Sequence, residues 1–304
     1  MYYPSGYFRR KALAALKNHW QPALLVALIV NLPTMLMQGF SAFTGNDVMT
    51  RLQSAVVVAS RDGVLSREVL MKEIDTLLAS TSFWTIRGLE IAALLVTPCL
   101  ALGMYKWLSD LLRGQENPVN AVFCRTRLFF KSIGLQLLII LKVLLWMLPG
   151  IAAMAWIMWP AIQAGSKQAQ LEALQRSQGL TLPALILMAV PGAIAALRYA
   201  LSEYIMAEKP ETGILTCIRR SKAMMQNQKR NLFLLLFSFL LWYLAELLVA
   251  SMLTGVLSFL VQMLAGLALN VYMACSVCAF YLRLEEAEQK HENPDAEPEP
   301  EELN

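Results

Sequence analysis

The chain has 304 residues, of which 57% are hydrophobic and 16% are charged. Soluble domains carry about a quarter charged residues, so this composition excludes an ordinary soluble protein. Apolar runs of about twenty residues, enough to cross roughly 30 Å of hydrocarbon, recur along the chain. We therefore predict an all-α polytopic membrane protein.

The formal net charge of +4 hides an asymmetry, because the segment 285–304 is strongly acidic. The basic residues of the remaining body lie in short blocks beside apolar runs. That pattern suits the anionic cytoplasmic leaflet and is no signal for nucleic acid. We predict a transmembrane domain over 1–284 and a disordered, acidic cytoplasmic tail over 285–304.

Six apolar segments are predicted to span the membrane, at about 22–40, 89–108, 133–157, 182–206, 232–253 and 256–281. The first lacks a convincing cleavage site, so we expect an uncleaved span. Pro98 is expected to kink its helix, and the Pro-Gly pairs at 149–150 and 191–192 to break theirs. Polar connections are predicted at 41–87, with a surface helix within 69–78, and at 163–180.

A short basic segment precedes each odd-numbered span: FRRKALAALKNHW at 8–20, VNAVFCRTRLFFK at 119–131, and 212–229. Each is predicted to form an amphipathic helix at the membrane surface. In the third segment, one face carries Ile214, Cys217, Ile218, Ser221, Met224 and Met225. The candidate contacts to anionic lipid in these segments are Arg9, Arg10, Arg125, Arg127, Arg219, Arg220 and Lys222.

The distribution of basic residues predicts the orientation. With six spans and an internal N-terminus, the internal segments hold most of the 26 Lys and Arg residues. Both termini are therefore predicted to be cytoplasmic, in a bacterial cytoplasmic (inner) membrane. The pattern of basic segment, span and span then occurs three times.

Several motifs carry a family resemblance. They are ALKNHW before the first span, PCLALGMYKWLSDLLRG at 98–114, LLWMLPG and VPG, and then Tyr199, Tyr204, Pro210, Ser221 and Met225. With these motifs the chain resembles a family of uncharacterised bacterial integral membrane proteins, domain of unknown function nine-seven-five. The resemblance implies a membrane module and brings no known activity. Glu208-Lys209 stands where that family has Asp-Asn before the proline.

Polar side chains within the predicted spans form the candidate intramembrane site, because a charge in hydrocarbon is costly. They are Lys142, Arg198, Glu203, Glu246 and Asn270. Lys142 and Glu246 lie at depths that the lysine stem can largely bridge, so we hypothesise that they pair in the bundle interior. A structural ion pair and an ion or substrate path both fit this pairing. Snorkelling to the headgroups explains Arg198 and Glu203 without a function.

The sequence lacks recognisable catalytic or cofactor-binding motifs, so we expect no enzyme, no catalytic residue and no cofactor. Cys275 and Cys278 have the spacing of a metal pair, but both histidines, His19 and His291, lie outside the spans. We therefore expect no metal site. A small-residue ridge that suits helix packing is formed by Gly266, Asn270, Ala274 and Cys278.

These features favour a non-enzymatic membrane scaffold or accessory module. It would bind lipids of the anionic inner leaflet, a protein partner or a second copy of itself. The alternative is a transporter or permease with a path near Lys142, Glu246 and the Pro-Gly pairs. A lipid-modifying enzyme would need two polar side chains that converge at headgroup depth.

Overall fold

The structure is a computed structural model, and it describes residues 5–44, 75, 81–163, 167–253 and 255–292. Over these residues it consists of helices and short connections, without a strand. The helices are α1 Ser5–Leu16, α2 Trp20–Thr44, α3 Thr81–Leu112, a 3₁₀ helix Val119–Leu128, α4 Phe129–Gln163, α5 Lys167–Tyr199, α6 Ser202–Glu208, α7 Ile214–Met224, α8 Lys229–Met252 and α9 Gly255–Glu292.

The predicted all-α class and the six spans are confirmed. In the described part of the chain, six stretches are long and apolar enough to cross a membrane: Trp20–Met37, Arg87–Leu112, Val119–Ala161, Gln175–Glu208, Lys229–Met252 and Leu260–Lys290. Each overlaps one predicted span. The surface helix predicted within 69–78 falls, apart from Asp75, outside the described residues.

The chain forms two compact units. Unit 1 comprises Met1–Val30, Cys99–Leu135 and Leu197–Asn304, and unit 2 comprises Asn31–Pro98 and Gln136–Ala196. All three basic segments belong to unit 1. Segments that are far apart in the sequence, and that the charge distribution assigns to one side of the membrane, therefore fold together.

The proline-containing helices are continuous, so the predicted helix breaks at 149–150 and 191–192 are wrong. Helix α4 runs through Pro149, and α5 runs through Pro191. Within unit 2, a Cβ placed on Gly150 would lie 2.3 Å from the Met188 Cα. Gly150 thus permits α4 and α5 to pack closely, as small residues do in membranes.

Two further boundaries differ from the prediction. Helix α5 begins at Lys167, so most of the polar connection predicted at 163–180 is helical. Helix α9 continues to Glu292, so the first part of the predicted disordered tail at 285–304 is also helical. Both stretches are rich in Ala, Glu, Gln and Lys, which are strong helix formers. Residues 293–304 lie outside the described part.

Helix α9 is the centre of unit 1. The Phe239 ring of α8 meets the Tyr272 ring at a centroid distance of 4.9 Å. The Phe8 ring of α1 meets the Phe280 ring at 5.2 Å. The first basic segment thus packs its aromatic side chain against the last span.

The second basic segment forms a 3₁₀ helix instead of the predicted amphipathic α-helix. It packs against α3 with the two backbones in direct contact: a Cβ added to Gly103 would lie 1.8 Å from the Val122 carbonyl oxygen. Val122 is fully buried. The Cys99 thiol donates to the Arg125 carbonyl at 3.5 Å, one turn before Gly103 along α3.

Substitution of Gly103 by alanine tests this docking. Because the clashing atom belongs to the backbone and cannot rotate away, Gly103→Ala should lower the free energy of unfolding by about 1–3 kcal/mol. The matched control is Gly88→Ala in the same helix, where nothing lies within 4 Å of the added Cβ. The control should be neutral or stabilising by up to about 1 kcal/mol, since alanine favours helix. Unfolding in detergent micelles measures both, and equal stabilities would contradict the docking.

Candidate functional site

The five predicted intramembrane residues are all half-buried. Lys142 lies in α4 within unit 2, whereas the other four lie on four different helices of unit 1. These four are Arg198, Glu203, Glu246 and Asn270. Since Lys142 and Glu246 belong to different units, their pairing stays a prediction.

Three of these residues contact other helices of unit 1. The Arg198 carbonyl accepts a hydrogen bond from the Ser221 hydroxyl at 2.9 Å, which ties the end of α5 to α7. Glu203 lies beside the Tyr105 hydroxyl. The Glu246 carboxylate faces α9, where its Oε1 is 3.3 Å from the position of a Cβ on Gly266.

A different set of charged residues converges in unit 1. Asp110, Glu208 and Glu285 expose 8%, 10% and 7% of their side chains. We call these carboxylates and their partners the charged cluster. The partners are Lys106, Arg113, Lys209 and Arg220, and Glu288 belongs to the cluster through its pair with Arg220.

Asp110 is held within its own helix and by the following turn. The Lys106 Nζ lies 2.5 Å from the Asp110 Oδ1, one helical turn away. The Asn117 side-chain amide donates to the other oxygen, Oδ2, at 2.7 Å. Both oxygens of this buried carboxylate therefore have a partner, as burial of a charge requires.

Glu208, the last residue of α6, binds three side chains of α3. The Ser109 hydroxyl donates to Oε1, and the Arg113 guanidinium donates to Oε2 at 2.9 Å. The Lys106 Nζ lies 3.6 Å from Oε1. The end of the fourth predicted span is thus bound to the end of the second.

Glu285 in α9 lies among three cations from three segments. The Lys209 Nζ is 2.9 Å from Oε1, the Arg113 Nη2 is 3.6 Å from Oε2, and the Arg220 Nη2 is 3.8 Å from Oε1. Arg220 also donates to Glu288 Oε2 at 2.6 Å. The cluster therefore joins α3, the α6–α7 connection, α7 and α9.

The two arginines of the cluster remain charged. Burial alone would lower the pKa of Arg113, but its hydrogen bond and ion pairs with Glu208, Glu285 and Asp110 outweigh burial and raise that pKa. The pKa of Arg220 is raised in the same way, with Glu288 as its main partner. The cluster is an internally compensated ion network. Over the described residues, no group of His, Cys, Asp and Glu side chains has the arrangement of a metal site.

The charged cluster was missed by the sequence prediction, although a signal was present. Lys106, Asp110 and Arg113 lie within the family-like stretch at 98–114, at spacings of four and three residues on one helical face. Glu285 was assigned to the acidic tail because the helix was predicted to end before it. Distant sequence segments supply the remaining partners, and no local pattern predicts such contacts.

The predicted lipid contacts differ in how far they are exposed. Arg9 and Arg220 are engaged inside unit 1: Arg9 donates to the Tyr272 hydroxyl at 3.3 Å, and Arg220 belongs to the charged cluster. Arg125 is half-buried. The exposed members are Arg10, Arg127, Arg219 and Lys222.

Helix α7 shows how its exposed basic residues are positioned. Cys217, Ile218, Ser221 and Met224 are buried within unit 1, and burial raises the pKa of the Cys217 thiol. Arg219 and Lys222 lie on the exposed side. One side of this helix is thus covered by protein, whereas Arg219 and Lys222 are left open together with Leu215.

Comparison with known families gives one match, to the model described as "Protein of unknown function (DUF975)", over residues 1–288. The chain belongs to this family. The predicted resemblance is confirmed, and the DUF975 match includes every member of the charged cluster up to Glu288. Neither the curated proteins nor the solved structures contain a match.

Substitution of Glu285 tests whether the cluster holds unit 1 together. Glu285→Gln leaves Arg113, Lys209 and Arg220 without a charge that they share. Breaking a fully buried pair costs roughly 3–5 kcal/mol. Because Arg113 and Lys209 are 38% and 39% exposed, solvent screening should reduce the loss to about 2 kcal/mol.

The matched control is the neighbouring residue. Glu286 is 46% exposed, and among the described residues it pairs with Arg283 three residues earlier, so Glu286→Gln should change the free energy of unfolding by less than about 1 kcal/mol. Denaturant unfolding in micelles compares the two variants. A loss for Glu285→Gln no larger than that of the control would contradict the assigned role.

Proposed function

We propose that this DUF975 protein is a non-enzymatic membrane scaffold whose unit 1 recognises anionic lipid headgroups. The observation that carries this proposal is the arrangement of α7. Cys217, Ile218, Ser221 and Met224 are buried in the protein, Arg220 is fixed by Glu288 and Glu285, and Arg219 and Lys222 are exposed. A helix fixed in this way keeps Arg219 and Lys222 on the surface of the protein.

The other two basic segments add to this surface. Helix α1 exposes Arg10, and the 3₁₀ helix exposes Arg127. Each Lys or Arg near an anionic bilayer surface contributes about 1 kcal/mol of attraction. The positive-inside rule supports the cytoplasmic leaflet of a bacterial inner membrane as the location, with both termini inside.

Two observations favour a scaffold over the other function classes. The transporter hypothesis relied on Lys142, Glu246 and helix breaks at 149–150 and 191–192, and α4 and α5 are continuous at those two positions. The carboxylates of the charged cluster are each engaged by cations. A general acid or base needs a carboxylate that can exchange its proton with a substrate.

Lipid binding is tested by the stability that added lipid confers. Phosphatidylglycerol added to the protein in neutral micelles should raise the thermal midpoint more than phosphatidylcholine does, because a ligand stabilises the state that binds it. In the double variant Arg219→Gln/Lys222→Gln, the difference between the two lipids should shrink, since about 2 kcal/mol of attraction is lost.

Arg220→Gln is the control for this experiment. It should lower the midpoint without lipid, because it breaks the contacts to Glu285 and Glu288, and should preserve the difference between the lipids. A double variant that keeps the full difference would contradict the proposal.

The orientation is tested with a natural cysteine. Of the five cysteines, Cys124 is exposed and the other four are buried. Cys124 lies in the second basic segment, which is predicted to be cytoplasmic. A membrane-impermeant maleimide should therefore label Cys124 in inverted membrane vesicles and leave it unlabelled in right-side-out vesicles.

Cys217 provides an internal reference for the labelling. Burial raises the pKa of its thiol, so the reactive thiolate is scarce and the residue should stay unmodified on both sides until the protein is denatured. Labelling of Cys124 only in right-side-out vesicles would overturn the predicted topology.

A further inference from the structure

Glu246 occupies an unusual position in the sequence of the last two spans. It is the only charged residue between Arg230 and Arg283. At 1.5 Å per residue, it lies roughly 21 Å along α8 from Leu232, within a hydrocarbon layer of about 30 Å. An ionised carboxylate at this depth is costly unless it has a compensating partner.

The elements packed against α8 in unit 1 supply no such partner. Gly266 of α9 faces the carboxylate: a Cβ added to this glycine would lie 3.3 Å from the Glu246 Oε1. Helix α9 contains no charged residue before Arg283. In α1, the basic residues are Arg9, Arg10 and Lys11. Arg9 lies over the Phe239 ring and donates to Tyr272, two helical turns from Glu246.

The remaining surroundings of Glu246 are apolar or neutral. On its own helix, Leu244, Leu247 and Leu248 are exposed apolar side chains, and Tyr243 lies one turn before it. The titratable residue of α9 in this region is Tyr272, which packs against Phe239. Within the described residues of unit 1, no Lys or Arg forms an ion pair with Glu246.

We propose that Glu246 is a proton-binding carboxyl group, which carries its proton while it faces Gly266 in the hydrocarbon layer. This inference is independent of lipid recognition by the basic segments. Its ligand is a proton, and the site is the α8–α9 contact at residues 246 and 266. In surroundings of low polarity, the neutral carboxylic acid costs less free energy than the ionised carboxylate.

A hydrophobic carbodiimide probes this state directly. The acid proton of Glu246 is transferred to one carbodiimide nitrogen and the carboxyl oxygen adds to the central carbon, which forms an O-acylisourea. The acyl group then migrates from oxygen to nitrogen and gives a stable N-acylurea with no leaving group. The reaction requires the protonated acid and a reagent that dissolves in hydrocarbon.

The experiment uses the full chain in phosphatidylcholine vesicles with dicyclohexylcarbodiimide, followed by peptide mass spectrometry. We expect one adduct, on the peptide that contains Glu246, and none on the ion-paired Glu208 or Glu285. Above its titration point, the labelling rate should fall by about tenfold per pH unit, as the fraction of protonated acid does. Glu246→Gln should remove the adduct.

Two results would overturn the inference. One is the absence of an adduct on Glu246 across the pH range in which the protein stays folded. The other is an adduct that forms only after Lys142→Met, because this would show that the native carboxylate is ionised and paired with that lysine. Since the adduct is located in the wild-type chain, the inference remains testable even if Glu246→Gln fails to fold.

Discussion

The insertion of Glu285 among Arg113, Lys209 and Arg220 is the interaction on which unit 1 depends. Each cation comes from a different segment, and each segment alone would leave its charge to water or headgroups. A single buried carboxylate makes their proximity favourable, and its removal would leave the three cations without the charge that they share. The network links several segments of unit 1 by ion pairs. Because Arg220 is part of it, the exposed basic residues of α7 are held in position.

The membrane class and the spans could be predicted from the sequence because hydrocarbon imposes a length and a polarity on each crossing. The errors have physical reasons as well. Prolines at 149 and 191 were expected to break helices, but a helix in hydrocarbon loses less by bending than by exposing unpaired backbone groups. The end of α9 was placed too early because its acidic composition concealed a run of good helix formers and one buried carboxylate.

The candidate site was harder to predict. A charge inside an apolar run stands out in the sequence, so the pattern itself indicates Lys142 and Glu246 as candidates. The charged cluster lies where spans end, and there each charged residue has an ordinary interpretation as a solvated boundary residue. Only the fold shows that Asp110, Glu208 and Glu285 are buried and close together.

The continuous helices of unit 2 have a consequence for its backbone. A proline has no N–H, so the carbonyl four residues earlier has no partner within the helix. For Pro149 in α4 this carbonyl belongs to Leu145, and for Pro191 in α5 it belongs to Leu187. These positions flank Gly150 and Met188, where the two helices pack closely. Each helix therefore carries a backbone acceptor in an apolar stretch, so the main chain of unit 2 adds polarity to that of the Lys142 side chain.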